Sequence, residues 1–140
     1  WARREEYEKG TRNNQNVSHT LPGDLPVTLQ YGALFLSGSA DSAHAPSYNI
    51  ELARHAHLGI KQREPREIPA CFNRVQVVSN ASNIELDAQT VINEMTMKAT
   101  NSYLDYNSAV IKQHNLEMDD KTTIKATQKS LYNINLTPKQ

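Results

Sequence analysis

The hydrophobic positions after residue 87 recur at helical spacing. In the stretch "INEMTMKATNSYLDYNSAVIKQHN", from Ile92 to Asn115, apolar and small side chains follow one another in steps of three and four. Such steps place side chains along one narrow stripe of an α-helix, which is typical of a helix packed against other helices. The pattern therefore predicts a helical seam that consists of Ile92, Met95, Ala99, Ser102, Tyr103, Tyr106 and Val110.

The beginning of the chain shows a weaker pattern. Positions 1–20 hold few apolar side chains and are predicted to form a polar helix. Proline breaks a helix because it lacks an N–H donor, so we expect a turn after this helix, at Leu21, Pro22 and Pro26.

Extended structure is predicted for the middle of the chain. The run Val27–Leu36 is rich in β-branched and aromatic residues and indicates an extended segment or a short strand. The segment Ile50–Ile60 is compatible with a helix or a strand. The alternation in "ACFNRVQVV", Ala70–Val78, places Val75 and Val77 on one face and Phe72 and Val78 near the other, and predicts a strand.

These elements together predict a mainly α fold with a small, irregular, β-containing middle. The N- and C-terminal helices, in residues 1–20 and 87–136, would pair as an elongated α-helical assembly domain, and residues 21–86 would form the middle region.

Composition indicates where the seam would be buried. Only 38% of the residues are hydrophobic and the mean hydropathy is −0.66, so the chain has little apolar surface for a core of its own. An intramolecular helical hairpin is one arrangement, but we favour assembly, in which other subunits complete the core.

The net charge is zero, which gives no electrostatic case for nucleic acid or anionic membrane. No apolar run reaches the roughly 18 residues of a spanning helix.

Three groups of side chains are candidates for chemistry. His55 and His57 would share one side of a strand, and a metal site there would need further ligands from His44, His114 or Glu51. The simpler interpretation is surface histidines in a loop. Lone Cys71 excludes an intrachain disulfide, and its surroundings offer nothing that would stabilise a thiolate. Three carboxylates, those of Glu85, Asp87 and Glu94, are candidates for a general acid and base. They equally suit the start of a helix, where negative charge is favourable. We therefore predict no catalytic, cofactor-binding or metal-ligating residue.

Four stretches of the chain resemble the proximal rod proteins of the bacterial flagellar basal body. The stretch "HTLPGDLPVTLQYGALF" is similar in rhythm to the turn after the first helix in the FlgB family. "LARHAHLG" and "FNRVQVVSNASNIELD" look similar to the middle of that family, and "EMTMKATNSYLDYNSAV" to its last helix. The related FlgC family fits the last stretch nearly as well. The matched positions are Leu21, Pro26, Phe35, Arg74, Val75, Asn83, Asp87, Glu94, Ala99, Asn101, Ser102, Leu104 and Tyr106.

The resemblance implies a non-enzymatic structural subunit of the flagellar rod. Such a subunit is exported without a cleaved signal and is built into a helical tube that links the export apparatus to the distal rod and transmits torque. The implied partners are other rod subunits and the export-gate and rod-adaptor proteins, with no cofactor, no nucleic acid and no membrane span. The implied location is the periplasm-spanning rod. Two alternatives are a small metal-binding domain or enzyme that uses His55 and His57, and an autonomous helical adaptor.

Overall fold

The computed structural model of the chain describes residues 17–20, 27–30, 33–52, 54–61, 69–131 and 134–138, and about two-thirds of them belong to strands. A 3₁₀ turn (Ser42–His44) and a single helical turn, α1 (Gln128–Leu131), lie between strands. The strands are β1 (Val17–Thr20), β2 (Val27–Gln30), β3 (Ala33–Ser37), β4 (Ser47–Leu52), β5 (His57–Lys61), β6 (Ala70–Asn80), β7 (Asn83–Leu86), β8 (Thr90–Thr100), β9 (Tyr103–Asn107), β10 (Val110–Ile111), β11 (His114–Met118), β12 (Thr123–Ala126) and β13 (Ile134–Pro138).

The strands form two sheets that the chain visits in turn. Sheet A has the order β1-β4-β6-β8-β11-β13, with β10 also beside β8, and sheet B has the order β12-β9-β7-β5-β3-β2. From β3 onward the chain alternates between the sheets, except that β10 and β11 both belong to sheet A, and the strands paired within a sheet run parallel. Among the described strands, only two pairs are antiparallel: β1 pairs with β4, and β2 pairs with β3. The chain is therefore a parallel β-solenoid.

The coils from β6 onward have nearly the same length, whereas those that join β3 to β5, β4 to β6 and β5 to β7 are longer. On sheet B, Asn83 pairs with Tyr103, and Tyr103 pairs with Thr123, so the chain advances by an equal number of positions in both steps. On sheet A, Val75 pairs with Met95 at that same separation in the sequence. A constant coil length keeps equivalent side chains in register from one coil to the next.

The core lies between the two sheets and is built from matching rows of aliphatic side chains. One row of sheet B consists of Leu34, Leu58, Ile84 and Leu104, each at most 1% exposed. The facing sheet contributes the row Ile50, Val77, Met97 and Leu116. Burial of each such side chain contributes roughly 1.5–3 kcal/mol. The chain thus completes a core from a modest number of apolar residues, because the same few inward-facing positions are apolar in successive coils.

One corner of the solenoid is built alike in successive coils. Ala81 and Asn101 have φ of 51° and 49°, a left-handed conformation that turns the chain sharply. Buried hydroxyls follow at the next position of the corner, and those of Ser102 and Thr122 accept from the backbone of the coil before. The Ser82 N–H donates to Ser102 Oγ at 3.3 Å, and the Ser102 N–H donates to Thr122 Oγ1 at 3.2 Å. These bonds link each coil to the next at the corner.

Asp119 caps this corner. The Ala81 N–H donates to the backbone carbonyl of Thr100 in the following coil at 2.8 Å. In the next coil the Asn101 N–H instead lies 3.0 and 3.1 Å from the two carboxylate oxygens of Asp119. This bond, with that from the Thr122 hydroxyl, lowers the pKa of the Asp119 carboxyl. A side chain therefore replaces a backbone acceptor here.

The predicted mainly α fold is wrong. Residues 87–136, predicted as part of the helical assembly domain, contain β8 to β13 and the short α1. The first helix was predicted over residues 1–20. Residues 1–16 lie outside the described residues, and residues 17–20 form β1. The fold has no paired terminal helices that could pack as a coiled coil in the residues described after position 16. The helical assembly predicted from such helices is therefore wrong as well.

The residues of the predicted seam lie on strands and turns, and the pattern that decides their burial is an alternating one. In β8, Met95, Met97 and Ala99 are buried, while Thr96 is half-buried and Lys98 exposed, so the period is two. The apparent step of three from Ile92 to Met95 is a local irregularity in β8, and the later steps cross a turn. Ile92, Met95, Ala99, Ser102 and Tyr106 are buried, Val110 is half-buried and Tyr103 is 40% exposed.

Candidate functional site

A buried pair of polar side chains joins the two sheets at the centre of the core. The hydroxyl of Tyr106, from sheet B, lies 2.7 Å from His114 Nε2, from sheet A, and His114 Nδ1 lies 3.1 Å from the backbone oxygen of Met95. Since that oxygen can only accept, Nδ1 carries the proton and Nε2 accepts from Tyr106. Desolvation lowers the pKa of His114 to about 4, so the ring is neutral at physiological pH. The pair is closed off from solvent and holds the sheets together, which makes it structural.

The outer face of sheet A carries a column of neutral polar side chains, one from each of five neighbouring strands. They lie in register, because Asn49 pairs with Gln76, Gln76 with Thr96, Thr96 with Asn115, and Asn115 with Asn135. Adjacent strands are about 4.8 Å apart, so the column repeats hydrogen-bonding groups at that spacing. We call these five residues the amide column.

The side chains of the amide column are accessible. Asn49, Asn115 and Asn135 are exposed, and Gln76 and Thr96 are half-buried. Asn135 Nδ2 donates to Asn115 Oδ1 at 3.4 Å, a long bond that leaves most of the donors and acceptors of the column to solvent. A cavity of about 130 Å³ opens beside the column, and its lining includes Thr96, Lys98, Asn115, Glu117 and Thr137.

The outer face of sheet B contains a groove of about 340 Å³, which we call the Phe35 groove. Phe35 pairs in register with Gly59, and the Cδ1–Cε1 edge of its ring lies against that glycine: a Cβ added to Gly59 would be 2.5 Å from Phe35 Cδ1. The missing side chain therefore makes room for the ring. The groove is lined by Phe35, Gly59, Ile60, Glu85, Asp87, Ala88 and Asn107.

Acidic side chains continue from this groove along sheet B. Gly59 pairs with Glu85, Glu85 with Asp105, and Asp105 with Lys125, so these residues form one row on the outer face. Asp87 belongs to the adjacent turn, where its Oδ1 accepts from the Gln89 N–H at 3.2 Å. The row places two carboxylates side by side and one ammonium group at its end.

The structure separates most of the residues that were singled out from the sequence. His55 is exposed in a turn with φ of 66°, and His57 begins β5 half-buried. Within the described ranges, no three His, Cys, Asp or Glu side chains come together to hold a metal ion. Glu85 and Asp87 meet in the Phe35 groove, whereas Glu94 lies on sheet A. Leu21, Pro22 and Pro26 lie outside the described residues.

The residues that sequence reasoning missed are Phe35, Gly59 and the amide column. In the sequence, Phe35 stands out only through the flagellar resemblance, and Gly59 only as part of a short apolar segment. A weak signal exists: Asn, Gln and Thr alternate with apolar residues in β4, β6 and β8. Such alternation indicates a strand with one polar outer face.

A scan against protein-family models and searches of the curated proteins and the solved structures find no match to this chain. The flagellar resemblance therefore gains no support from a family, a relative or a structural neighbour. Across the part of the chain that the structure describes, no helix has the length and apolar character needed to cross a membrane. The class of protein that the fold and its surfaces define is a parallel β-solenoid with two polar outer faces.

Proposed function

We propose that this chain is a non-enzymatic β-solenoid scaffold that binds a linear, uncharged polysaccharide along the outer face of sheet A. The observation that carries this proposal is the amide column. Solenoid proteins present extended surfaces on which equivalent positions repeat, and such surfaces suit elongated ligands. Here the repeated positions carry amides and a hydroxyl, which both donate and accept hydrogen bonds.

The chemistry of the column favours a hydroxyl-rich polymer over a charged one. All five of its residues are neutral, and the whole chain has 15 basic and 15 acidic residues. The hydroxyls of a glycan also donate and accept, so they match amide side chains without requiring a charge. The strands fix the backbone positions of the column, so the spacing of its hydrogen-bonding groups is set before a ligand binds.

The flagellar-rod function stays a prediction that no comparison tests. That function assumed a helix whose seam packs against other subunits, and the prediction of that helix is wrong. A structural, non-enzymatic role is the part of the prediction that we keep in the proposal.

The test is affinity electrophoresis in native gels that contain soluble neutral polysaccharides such as dextran, xyloglucan or hydroxyethyl cellulose. We expect at least one of them to retard the protein. Thr96→Val keeps a β-branched side chain in the centre of the column and removes one hydroxyl, so affinity should fall about fivefold, the equivalent of one hydrogen bond of about 1 kcal/mol.

Thr123→Val is the matched control, because Thr123 is exposed on the outer face of sheet B. It should bind like the unmodified protein. The proposal fails if no polysaccharide retards the protein, or if Thr96→Val and Thr123→Val have equal effects. Release of reducing ends from a bound polysaccharide would contradict the non-enzymatic part.

A further inference from the structure

We propose that the amide column selects an extended, β-1,4-linked glycan, which lies along the column with one sugar ring on each strand. This inference rests on the proposed function, and it names the class of linkage that the outer face of sheet A accepts. Five strands contribute to the column, so the site is five sugars long.

The spacing of the column sets the length of the repeat. Its members pair directly with one another from Asn49 to Asn135. One hydrogen-bonding side chain is therefore offered about every 4.8 Å, along a line that crosses the strands. A pyranose ring that is linked through equatorial bonds at C1 and C4 advances a glycan by roughly this strand spacing. Successive rings then lie opposite successive strands.

Other linkages lose this match. An axial bond at C1 bends an α-1,4-linked glucan into a helix, and the additional rotatable bond of an α-1,6 linkage removes a fixed repeat. In a β-1,4-linked glucan each ring is turned over relative to the one before it. Both edges of the ring carry hydroxyls, so each strand still meets one. An extended chain also has less conformational freedom to lose on binding.

The charges beside the column favour a neutral glycan. In the row on one side Arg74 pairs with Glu94, and in the row on the other side Lys98 pairs with Glu117. Each of these cations therefore has an anion in the neighbouring strand, which is a favourable arrangement across strands. A polyuronate carries a carboxylate on every sugar and would need cations without such neighbours, so this face does not suit it.

An apolar side chain also lies beside the column. Val78 is two positions from Gln76 on the same face of β6, and it is 46% exposed. The flat faces of a β-linked glucose ring carry its axial C–H groups, so Val78 can pack against a ring that hydrogen-bonds to the column. Val78→Thr keeps the shape of the side chain but replaces a methyl group by a hydroxyl, and it should weaken binding about threefold.

The experiment is isothermal titration of the full chain with glucose oligomers that differ in linkage alone. Cellopentaose, maltopentaose and isomaltopentaose have the same composition. We expect cellopentaose to bind at least about tenfold more tightly than the other two, because it alone keeps a ring opposite each strand. Among cello-oligosaccharides, affinity should rise about fivefold with each added ring up to the fifth, since each ring adds a hydrogen bond. A sixth ring should change it little.

Asn49→Ala tests the assignment of one ring to each strand. It removes an exposed side chain at one end of the column, so cellopentaose should then bind only as tightly as cellotetraose does. Cellotetraose itself should lose at most about twofold, because one of its two placements is lost. Thr96→Val interrupts the column at its centre and should weaken both oligomers about fivefold. Thr123→Val, on sheet B, is the control and should bind both like the unmodified protein.

Three outcomes would overturn the inference. They are equal binding of the three pentaoses, an affinity that keeps rising at the sixth ring, and a loss for cellotetraose in Asn49→Ala as large as the loss for cellopentaose. If dextran and hydroxyethyl cellulose retard the protein equally and Thr96→Val weakens both, the proposed function stands while the linkage inference fails. If no neutral glycan binds, the proposed function itself fails, and the inference fails with it.

Discussion

At the scale of single residues, the Tyr106–His114 pair shows how a polar group can be stabilising inside a dry core. Each of the two rings is buried, and each is satisfied: the tyrosine hydroxyl donates to Nε2, and Nδ1 donates to the backbone of Met95. Burial raises the pKa of Tyr106, which keeps its hydroxyl protonated as the donor. The arrangement works only while His114 is neutral, because a protonated ring has no lone pair for Tyr106.

The neutral His114 makes the stability of the protein depend on pH. Its pKa is about 4 in the folded chain and ordinarily 6.5, so between these values the unfolded state binds one more proton than the folded state. Stability is therefore complete above pH 6.5 and falls as pH decreases toward 4, by about 3 kcal/mol in total. Urea unfolding at pH 7, 6, 5 and 4 measures this loss.

His114→Gln is the control for that measurement. The variant has no group that titrates at this position, so whatever slope remains belongs to the other histidines and the carboxylates. An equal slope in both proteins would show that His114 does not contribute.

At the scale of elements, the corner that contains Ala81 and Asn101 repeats a conformation with two different residues. Asparagine adopts the left-handed conformation more readily than alanine, because its short polar side chain can bond locally. Asn101 occupies the position that Ala81 occupies one coil earlier. The alanine is therefore the less favourable residue of the two.

We expect Ala81→Asn to stabilise the protein by about 0.5–1 kcal/mol, because it relieves part of the cost of a left-handed alanine. Asn101→Ala should destabilise it by a similar amount. Chemical unfolding of both variants at neutral pH measures the two changes. Destabilisation by Ala81→Asn would mean that the half-buried position has no room for the larger side chain.

The strands differ in how well the sequence predicts them. The strand predicted at Ala70–Val78 is confirmed as β6, and Val75 and Val77 share one face, which is buried. Val78 lies on the other face as predicted, but Phe72 is buried with the two valines. The extended run Val27–Leu36 is confirmed as β2 and most of β3. The helix predicted over β8 is wrong. The strand alternates from Met95 onward, but the irregularity at Asn93 and Glu94 hides its period of two. The predicted helical seam also omits Met97.

At the scale of the whole molecule, the two surfaces could not be predicted because they depend on the coil. Phe35 and Gly59 belong to successive coils and become neighbours only through the register of β3 and β5. The amide column likewise needs the registers of five strands. Glu85 and Asp87 stand out in the sequence because they are close together there, which is the range that sequence reasoning covers.

The coil length leads to a prediction about deletion. Removal of positions 103–122 takes out one complete coil, so Thr123 would take the position of Tyr103 beside Asn83. We expect this shortened chain to keep a β-sheet circular dichroism spectrum and to unfold at a lower temperature, because it lacks one layer of core.

Removal of positions 103–112 is the control. This deletion takes out half a coil, so the strands that follow would meet the opposite sheet with the wrong register. It should leave the chain largely unfolded. Similar behaviour of the two deletions would mean that coil length does not govern the fold.

The long pairing of β6 with β8 has a consequence for the order of folding. These strands are 11 residues each and are paired from one end to the other, across a connection that contains only β7 and two turns. Closing so short a connection costs little entropy, and it creates the largest contact in the molecule. We expect this pair to nucleate folding, after which each further coil docks on an edge that is already formed. The entropic cost of each later step is then that of closing one more coil, so the folding time grows with the number of coils rather than with the span of the whole chain.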